Sequence, residues 1–358
     1  MLIGDSVHCC EVKGDEFFPE EAKDAMTYDC FTFFNELDVL EIRLNVLKDV
    51  VDKFVLVEAG ETHTGHPKPF YFHENRSRFA AFADKIIYRR IDRFPPGHGA
   101  WWNENYQRNV LTEVLLKAGA KDDDDILISD LDEIPRPEKV REYKGTGGIK
   151  AFRQTFYSYY LNYEDVHTRG TYTTKMMPCR DFLHAFDGVE TYANEFLPDD
   201  INRGTTPTKI RRRTLPRSRG GEIRIYDGGW HFTCIGGAKA MLAKMRAVAP
   251  HHDFDPEDKT LTEEKLAALI AAGGGPALKM DCFAVPVDDS FPAYIRENQS
   301  RYASLIFEVT PEYLRRVRWR RLFRGIEGRL RQFAERVCPP ALHNRLHLIK
   351  MALLRDRR

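Results

Sequence analysis

Residues 122–135 read DDDDILISDLDEIP: four aspartates, a short apolar run, then Asp130 and Asp132 around a leucine, with Glu133 next. An ionised carboxylate resists burial unless something pairs with it, so the acids at the two ends of Ile126-Leu127-Ile128 need separate accounts. The run is short, continuous and bounded by polar residues, as expected of a strand covered on both faces. Asp122 to Asp125 precede it and read as a solvated turn at one edge of a sheet. Asp130 and Asp132 follow it, at the carboxyl end where α/β sheets bind ligands. On an extended segment, positions i and i+2 point to the same side, so these carboxylates are expected to converge while Leu131 turns inward. Two hard oxygens beside water suit Mg²⁺ or Mn²⁺, which commonly hold substrate phosphates as well. The alternative is a solvated acidic loop.

Upstream, the same kind of strand recurs. YDCFTFF (28–34) and KFVLVEA (53–59) alternate with helical patterns, as does KIIYRRI (85–91). Helices are expected from Asn35, a candidate cap, through Leu47, around 76–83, and over 103–118. That order predicts an α/β layer with a mainly parallel sheet. From Gly147 onward, aromatic strand-like pieces are joined by polar loops, one of them the basic TKIRRRTLPRSR (208–219). EIRIYDGGWHF (222–232) then precedes an amphipathic helix over 238–248. This half reads as a mixed sheet extending the first. The expected division is an N-terminal extension (1–27), one composite catalytic domain (28–310, with halves 28–135 and 136–310) and a tail (311–358).

The formal net charge of the 358 residues is zero, yet the segment 311–358 holds 14 basic against 4 acidic residues, leaving 40 basic and 50 acidic elsewhere. Arginines in that tail interleave with Leu, Val, Trp and Phe at near-helical spacing. This suits an anionic membrane surface; packing on the acidic body or nonspecific contact with RNA are the alternatives. No specific nucleic-acid partner is expected. Seven scattered cysteines without a CxxC pair argue for reduced thiols rather than a disulfide framework or zinc site. No run approaches a bilayer span, and the first residues lack the basic and apolar regions of a signal peptide.

The blocks YDCFTFFNELDVLEIRL, FVLVEAGETHTGHPKP, NENYQRNV, ILISDLDEIP and GGWHF, in this order and spacing, resemble glycosyltransferase family 17. The resemblance covers roughly residues 28–255. It implies a GT-A-like fold, a UDP-sugar donor (UDP-N-acetylglucosamine in the animal enzyme), inversion at the anomeric carbon and a divalent metal at Asp130-Leu131-Asp132. The membrane anchor and stem of the animal proteins are missing. A bacterial-type cytoplasmic enzyme is therefore expected, peripheral on the inner face of the membrane, with a glycan or lipid-linked glycan as acceptor.

Other residues carry two readings each. Gln107, Arg108 and Asn109 form a solvated helix face or, as the resemblance favours, contact the donor's diphosphate and hydroxyls. Asn35 and Glu36 follow the first strand, near the expected nucleotide, although Asn35 also suits a cap. Glu58, with Thr62 and His63, lies past a strand end; it either contacts the donor or is a buried carboxylate satisfied by amides. The glycines of DGGWHF let the backbone approach something closely. His231 there is a hydrogen-bonded core residue or, with the resemblance, a third metal ligand; Trp230 stacks on a sugar or packs. His251, His252 and Asp253 are weaker additions. For the general base that inversion needs, Glu133, Glu164, Asp165 and Asp227 are all candidates, Glu133 also suiting a role anchoring the loop. Competing classes are a sugar-nucleotide nucleotidyltransferase, which would carry a Gly-rich phosphate loop after the first strand, and a non-catalytic carbohydrate- or membrane-binding protein, which has no need of the Asp pair.

Overall fold

The computed structural model describes residues 25–165, 172–187, 205–247, 261–271, 282–315 and 317. Most of the basic tail, the first 24 residues and the trio His251, His252 and Asp253 therefore lie outside the described residues.

Among the described residues ten strands form one sheet. They are β1 (Thr27–Phe33), β2 (Lys53–Ala59), β3 (Ile86–Ile91), β4 (Asp125–Ile128), β5 (Glu133–Pro135), β6 (Ile149–Ser158), β7 (Tyr163–Asp165), β8 (Thr174–Pro178), β9 (Glu222–Thr233) and β10 (Cys282–Ala284). Their main order is β10-β7-β6-β8-β4-β1-β2-β3. The first four, β3-β2-β1-β4, run parallel. At β4 the polarity changes: β8 lies antiparallel to it, and β6 antiparallel to β8. β9 pairs parallel with β6 and antiparallel with β5. A parallel half continued by a mixed half is the α/β layout the sequence predicted.

Helices cover both faces: α1 (Leu37–Leu47), α2 (Tyr71–Glu74), α3 (Ala100–Lys117), α4 (Pro137–Tyr143), α5 (Cys179–His184), α6 (Pro207–Arg212), α7 (Gly237–Ala247), α8 (Glu263–Ala271) and α9 (Ala293–Glu297). Successive strand residues feed opposite cores, as the two-residue period requires. Phe31, Phe33 and Leu127 pack with Leu40 and Leu44 of α1, whereas Cys30, Ile126 and Ile128 pack with Leu111 and Leu115 of α3. Continuous apolar runs therefore mark the strands with a helix on each side.

Three local expectations are corrected. Asn35 does not cap α1: the cap position is Glu36, without a side-chain cap bond. TKIRRRTLPRSR is not a plain loop, because Pro207 at its first turn and a Thr206 side chain accepting from the Lys209 amide start α6. Of the four leading aspartates only Asp122 and Asp123 are solvated. Asp124 and Asp125 are buried: the Met26 and Lys121 amides donate to Asp124, and the Gly145 amide donates to one oxygen of Asp125, whose other oxygen has no hydrogen-bond partner among the described residues.

Candidate functional site

A cavity of about 260 Å³ opens beyond the carboxyl ends of β1, β2 and β4. Thr32, Phe33, Glu36, Glu61 and His63 line one side, Glu104, Gln107 and Arg108 of α3 another, and Asp130, Asp132, His231 and Lys244 the floor and far wall. Three of the cavity's cations, Lys68, Arg108 and Lys244, thus face its five acids.

The loop after β4 is a turn rather than an extended segment, so Asp130 and Asp132 do not act as one pair. Its shape is imposed by Arg43, a fully buried residue of α1. The guanidinium donates to both carboxylate oxygens of Asp29 (2.6 and 2.7 Å), to Ser129 Oγ (2.6 Å), and to the carbonyls of Asp130, Leu131 and Glu133 (3.0, 2.9 and 2.9 Å). A planar five-donor fork suits so many acceptors at once. Leu131 turns into the core, as expected.

Asp130 faces two arginines, Arg108 Nη2 at 3.0 Å and Arg211 Nη2 at 2.8 Å. Burial alone would raise its pKa, but Arg211 and then Arg108 outweigh that and hold the carboxyl far below its usual range. Asp132 faces Lys244 Nζ at 3.1 Å and His231 Nε2 at 3.5 Å. Burial is again overcome, by Lys244 and His231, and this carboxyl too is strongly depressed. In return Asp132 raises the His231 imidazole against the downward pull of burial. Glu104, held by Arg108 at 3.0 Å and Arg212 at 2.7 Å, is lowered to about 2 although burial opposes the change.

Among the described residues no three His, Cys, Asp or Glu side chains gather as a metal site. The expected trio splits because Asp130 is committed to its arginines. What remains is a pair, the Asp132 carboxylate and the His231 imidazole, which suits a hard divalent cation that takes its other positions from substrate phosphates and water; the Glu36 carboxylate stands apart, 3.7 Å from the Lys244 ammonium. The ammonium sits between Asp132 and Glu36, where a cation would go.

Several expected residues stand elsewhere. Glu133 is buried, accepting from the Asp130 amide, Thr173 and Arg211 (3.0, 2.5 and 2.7 Å); it anchors the loop and cannot reach an acceptor as a base. Glu164 and Asp165, on β7, and Asp227, paired with Arg136, do not line the cavity. Trp230 is a core residue whose indole N–H donates to the Ser290 carbonyl, so no sugar stacks on it. Glu58 is buried and accepts from the Phe72 amide and the Tyr88 hydroxyl; the structural reading holds there rather than donor contact. Asn109 accepts from the Thr208 amide, and neither it nor Asn35 lines the cavity. Gln107 does line it, with its amide N–H groups turned to the Val57 and Phe33 carbonyls.

Gly228 and Gly229 serve the scaffold. Gly229 has φ +148°, and a Cβ there would fall on the Ile134 carbonyl oxygen of β5; one on Gly228 would press on the β6 backbone at Arg153. The close approach places His231 opposite Glu133, beside the loop it serves.

Sequence reasoning missed Arg43, Arg211 and Lys244. Arg43 left a signal: it occupies a core-facing position among Leu40, Leu44 and Leu47, and Asp29 faces the same side of β1 as Phe31. An arginine in one apolar stripe and an aspartate in another predict each other. Arg211 and Lys244 sit in basic stretches that look solvated.

A sequence profile of glycosyltransferase family 17 matches residues 4–174. The human beta-1,4-mannosyl-glycoprotein 4-beta-N-acetylglucosaminyltransferase is 34% identical over 332 residues, which cover 82% of this chain and 57% of that protein. The rat enzyme of the same name is 34% identical over 330 residues, with the same shares. The chain thus spans 57% of the length of these relatives. A mannosyltransferase from Pyrobaculum calidifontis, solved with GDP-Man and Mn²⁺, overlaps 86% of this chain and 87% of its own at 13% identity and a TM-score of 0.35.

Proposed function

We propose that the chain, which matches glycosyltransferase family 17 over residues 4–174 and is 34% identical to a human N-acetylglucosaminyltransferase, transfers N-acetylglucosamine from a UDP-linked donor to a glycan hydroxyl, inverting the anomeric carbon. The observation that carries this is the cavity at the strand ends, where Arg108 keeps Nε and Nη1 buried without a hydrogen-bond partner among the described residues. Unmet guanidinium donors in a cleft suit an anion with several acceptor oxygens, such as a diphosphate. The names of the relatives support the sugar.

In the reaction the acceptor oxygen bonds to the anomeric carbon as the bond from that carbon to the diphosphate oxygen breaks, and UDP leaves. Arg108 binds the departing diphosphate and offsets its charge. A divalent cation, when bound by Asp132 and His231 with Glu36 nearby, would supply further neutralisation of that leaving group. The acceptor's proton goes to a carboxylate. Asp130, Asp132 and Glu104 each have a cation within 3.1 Å, and Glu36 lies 3.7 Å from Lys244. Glu61, which accepts from the Phe94 amide at 3.2 Å on one oxygen and whose nearest cation is Arg93 at 4.0 Å, is the acid of the cavity farthest from a cation and is assigned as general base.

The test is UDP release from UDP-N-acetylglucosamine by the full chain with Mn²⁺ and an oligosaccharide panel. Asp132→Ala should abolish turnover with the fold retained, and Glu61→Gln should lower kcat by about 10²–10⁴-fold with donor affinity kept. Failure of the full chain to bind any UDP-sugar overturns the reading.

A further inference from the structure

We propose that Lys244 is a tethered counter-ion which a divalent cation displaces from Asp132, and whose ammonium then moves onto the donor's diphosphate. The inference rests on the nucleotide-sugar reading above and adds an exchange of charge partners within that site.

Three observations carry it. The ammonium stands 3.1 Å from Asp132 and 3.7 Å from Glu36, so a monovalent cation of the chain occupies the point on which two carboxylates converge, with His231 on the other oxygen of Asp132. A divalent ion and an ammonium cannot both lie against that carboxylate, because like charges a few ångströms apart in a half-buried site repel strongly. Second, the helix bearing Lys244 is fixed at both ends across the cavity. The Gly236 and Gly237 amides both donate to the Tyr159 carbonyl, the Arg246 carbonyl accepts from Thr64, and Ala247 lines the cavity. The lysine's flexible four-carbon stem can swing its charge while the helix stays in place. Third, Arg108 lines the same cavity with two of its buried donors unpaired among the described residues, a second cation beside which an anion can bind.

The exchange keeps charge balanced. Without ligands, the acids around Asp132 are neutralised internally. A metal–diphosphate complex brings a cation for Asp132 and an anion for Lys244 together, whereas bare metal would strand the ammonium and bare nucleotide would meet an ammonium already paired. Metal and nucleotide therefore bind synergistically, each raising the affinity for the other by the same factor.

Mn²⁺ titrations followed by electron paramagnetic resonance, on the full chain with and without UDP, test this directly. In the unaltered protein UDP should tighten Mn²⁺ binding by roughly tenfold or more. Lys244→Met should bind Mn²⁺ alone about tenfold more tightly than the unaltered protein, with the UDP-induced gain largely lost. Lys244→Arg, keeping the charge, should stay near the unaltered value, and circular dichroism checks that both variants fold. An unchanged Mn²⁺ affinity in Lys244→Met overturns the exchange even if UDP binds well. Absence of UDP binding in the unaltered protein, with and without Mn²⁺, overturns the nucleotide-sugar reading and the exchange with it.

Discussion

Replacing Arg43 by lysine should separate the architecture of the loop from the stability of the chain. The guanidinium makes six contacts: two to Asp29, one to Ser129 and three to loop carbonyls. An ammonium offers three donors, so at least three acceptors lose their partner. At about 1 kcal/mol net for each lost bond, and more for a buried acceptor left unsatisfied, the variant should lose at least about 3 kcal/mol. That is a large fraction of a typical total of about 5–15 kcal/mol, yet the chain should still fold. Urea unfolding measures the loss and calorimetry measures UDP binding. The control is Leu40→Ala, a fully buried core position on the same helix, expected to cost about 2–5 kcal/mol. Both variants lose stability, but only Arg43→Lys releases the carbonyls of residues 130, 131 and 133. UDP affinity should therefore fall about tenfold, or ~1.4 kcal/mol, in Arg43→Lys and little in Leu40→Ala. A stability loss under about 1 kcal/mol, or equal UDP affinities in the two variants, would refute the role given to Arg43.

Gly229→Ala should prevent soluble expression or cost more than about 4 kcal/mol, because the new methyl meets the β5 carbonyl and the φ is unfavourable for a side chain; a thermal midpoint near that of the unaltered chain would contradict this. Acid should weaken the fold through the site: carboxylates with depressed folded pKa values contribute stability that is complete above their ordinary values and lost as pH falls. For Glu104 that window runs from its usual 4.5 down to about 2, and Glu104→Gln should flatten the decline in urea midpoint across it. An identical decline in the variant would show that the ion pairs to Arg108 and Arg212 do not contribute. The tail is proposed, on sequence alone, to bind anionic membrane, so removing residues 311–358 should abolish flotation with anionic liposomes; undiminished flotation would assign the binding elsewhere. No helix among the described residues is long and apolar enough to cross a membrane.

The parallel half was legible because each strand is buried on both faces and each helix on one, which leaves strong periods in the sequence. Val55 and Leu56 face different cores yet are equally apolar, and that continuity marked β2. The position of the cavity followed from where such strands end. What stayed hidden depends on partners distant in sequence. Whether Trp230 is a stacking platform or a core residue turns on Ser290, sixty residues away. Whether Arg211 is solvated or bound turns on Asp130 and Glu133, about eighty residues before it. Asp130 and Asp132 were found as a pair by spacing, but their separation into an arginine-bound and a lysine-bound carboxylate is decided by the turn that Arg43 enforces, which no spacing rule encodes.

The loop after β4 has two owners. Arg43, from the first half of the chain, grips its carbonyls, while β9, from the second half, pairs with β5 at its far end and the Phe232 amide donates to the Asp132 carbonyl. A fragment ending at residue 135 would retain the aspartates and the guanidinium but lose half of the mould. Splitting the chain there, or grafting another second half onto the first, would thus alter the floor of the cavity as well.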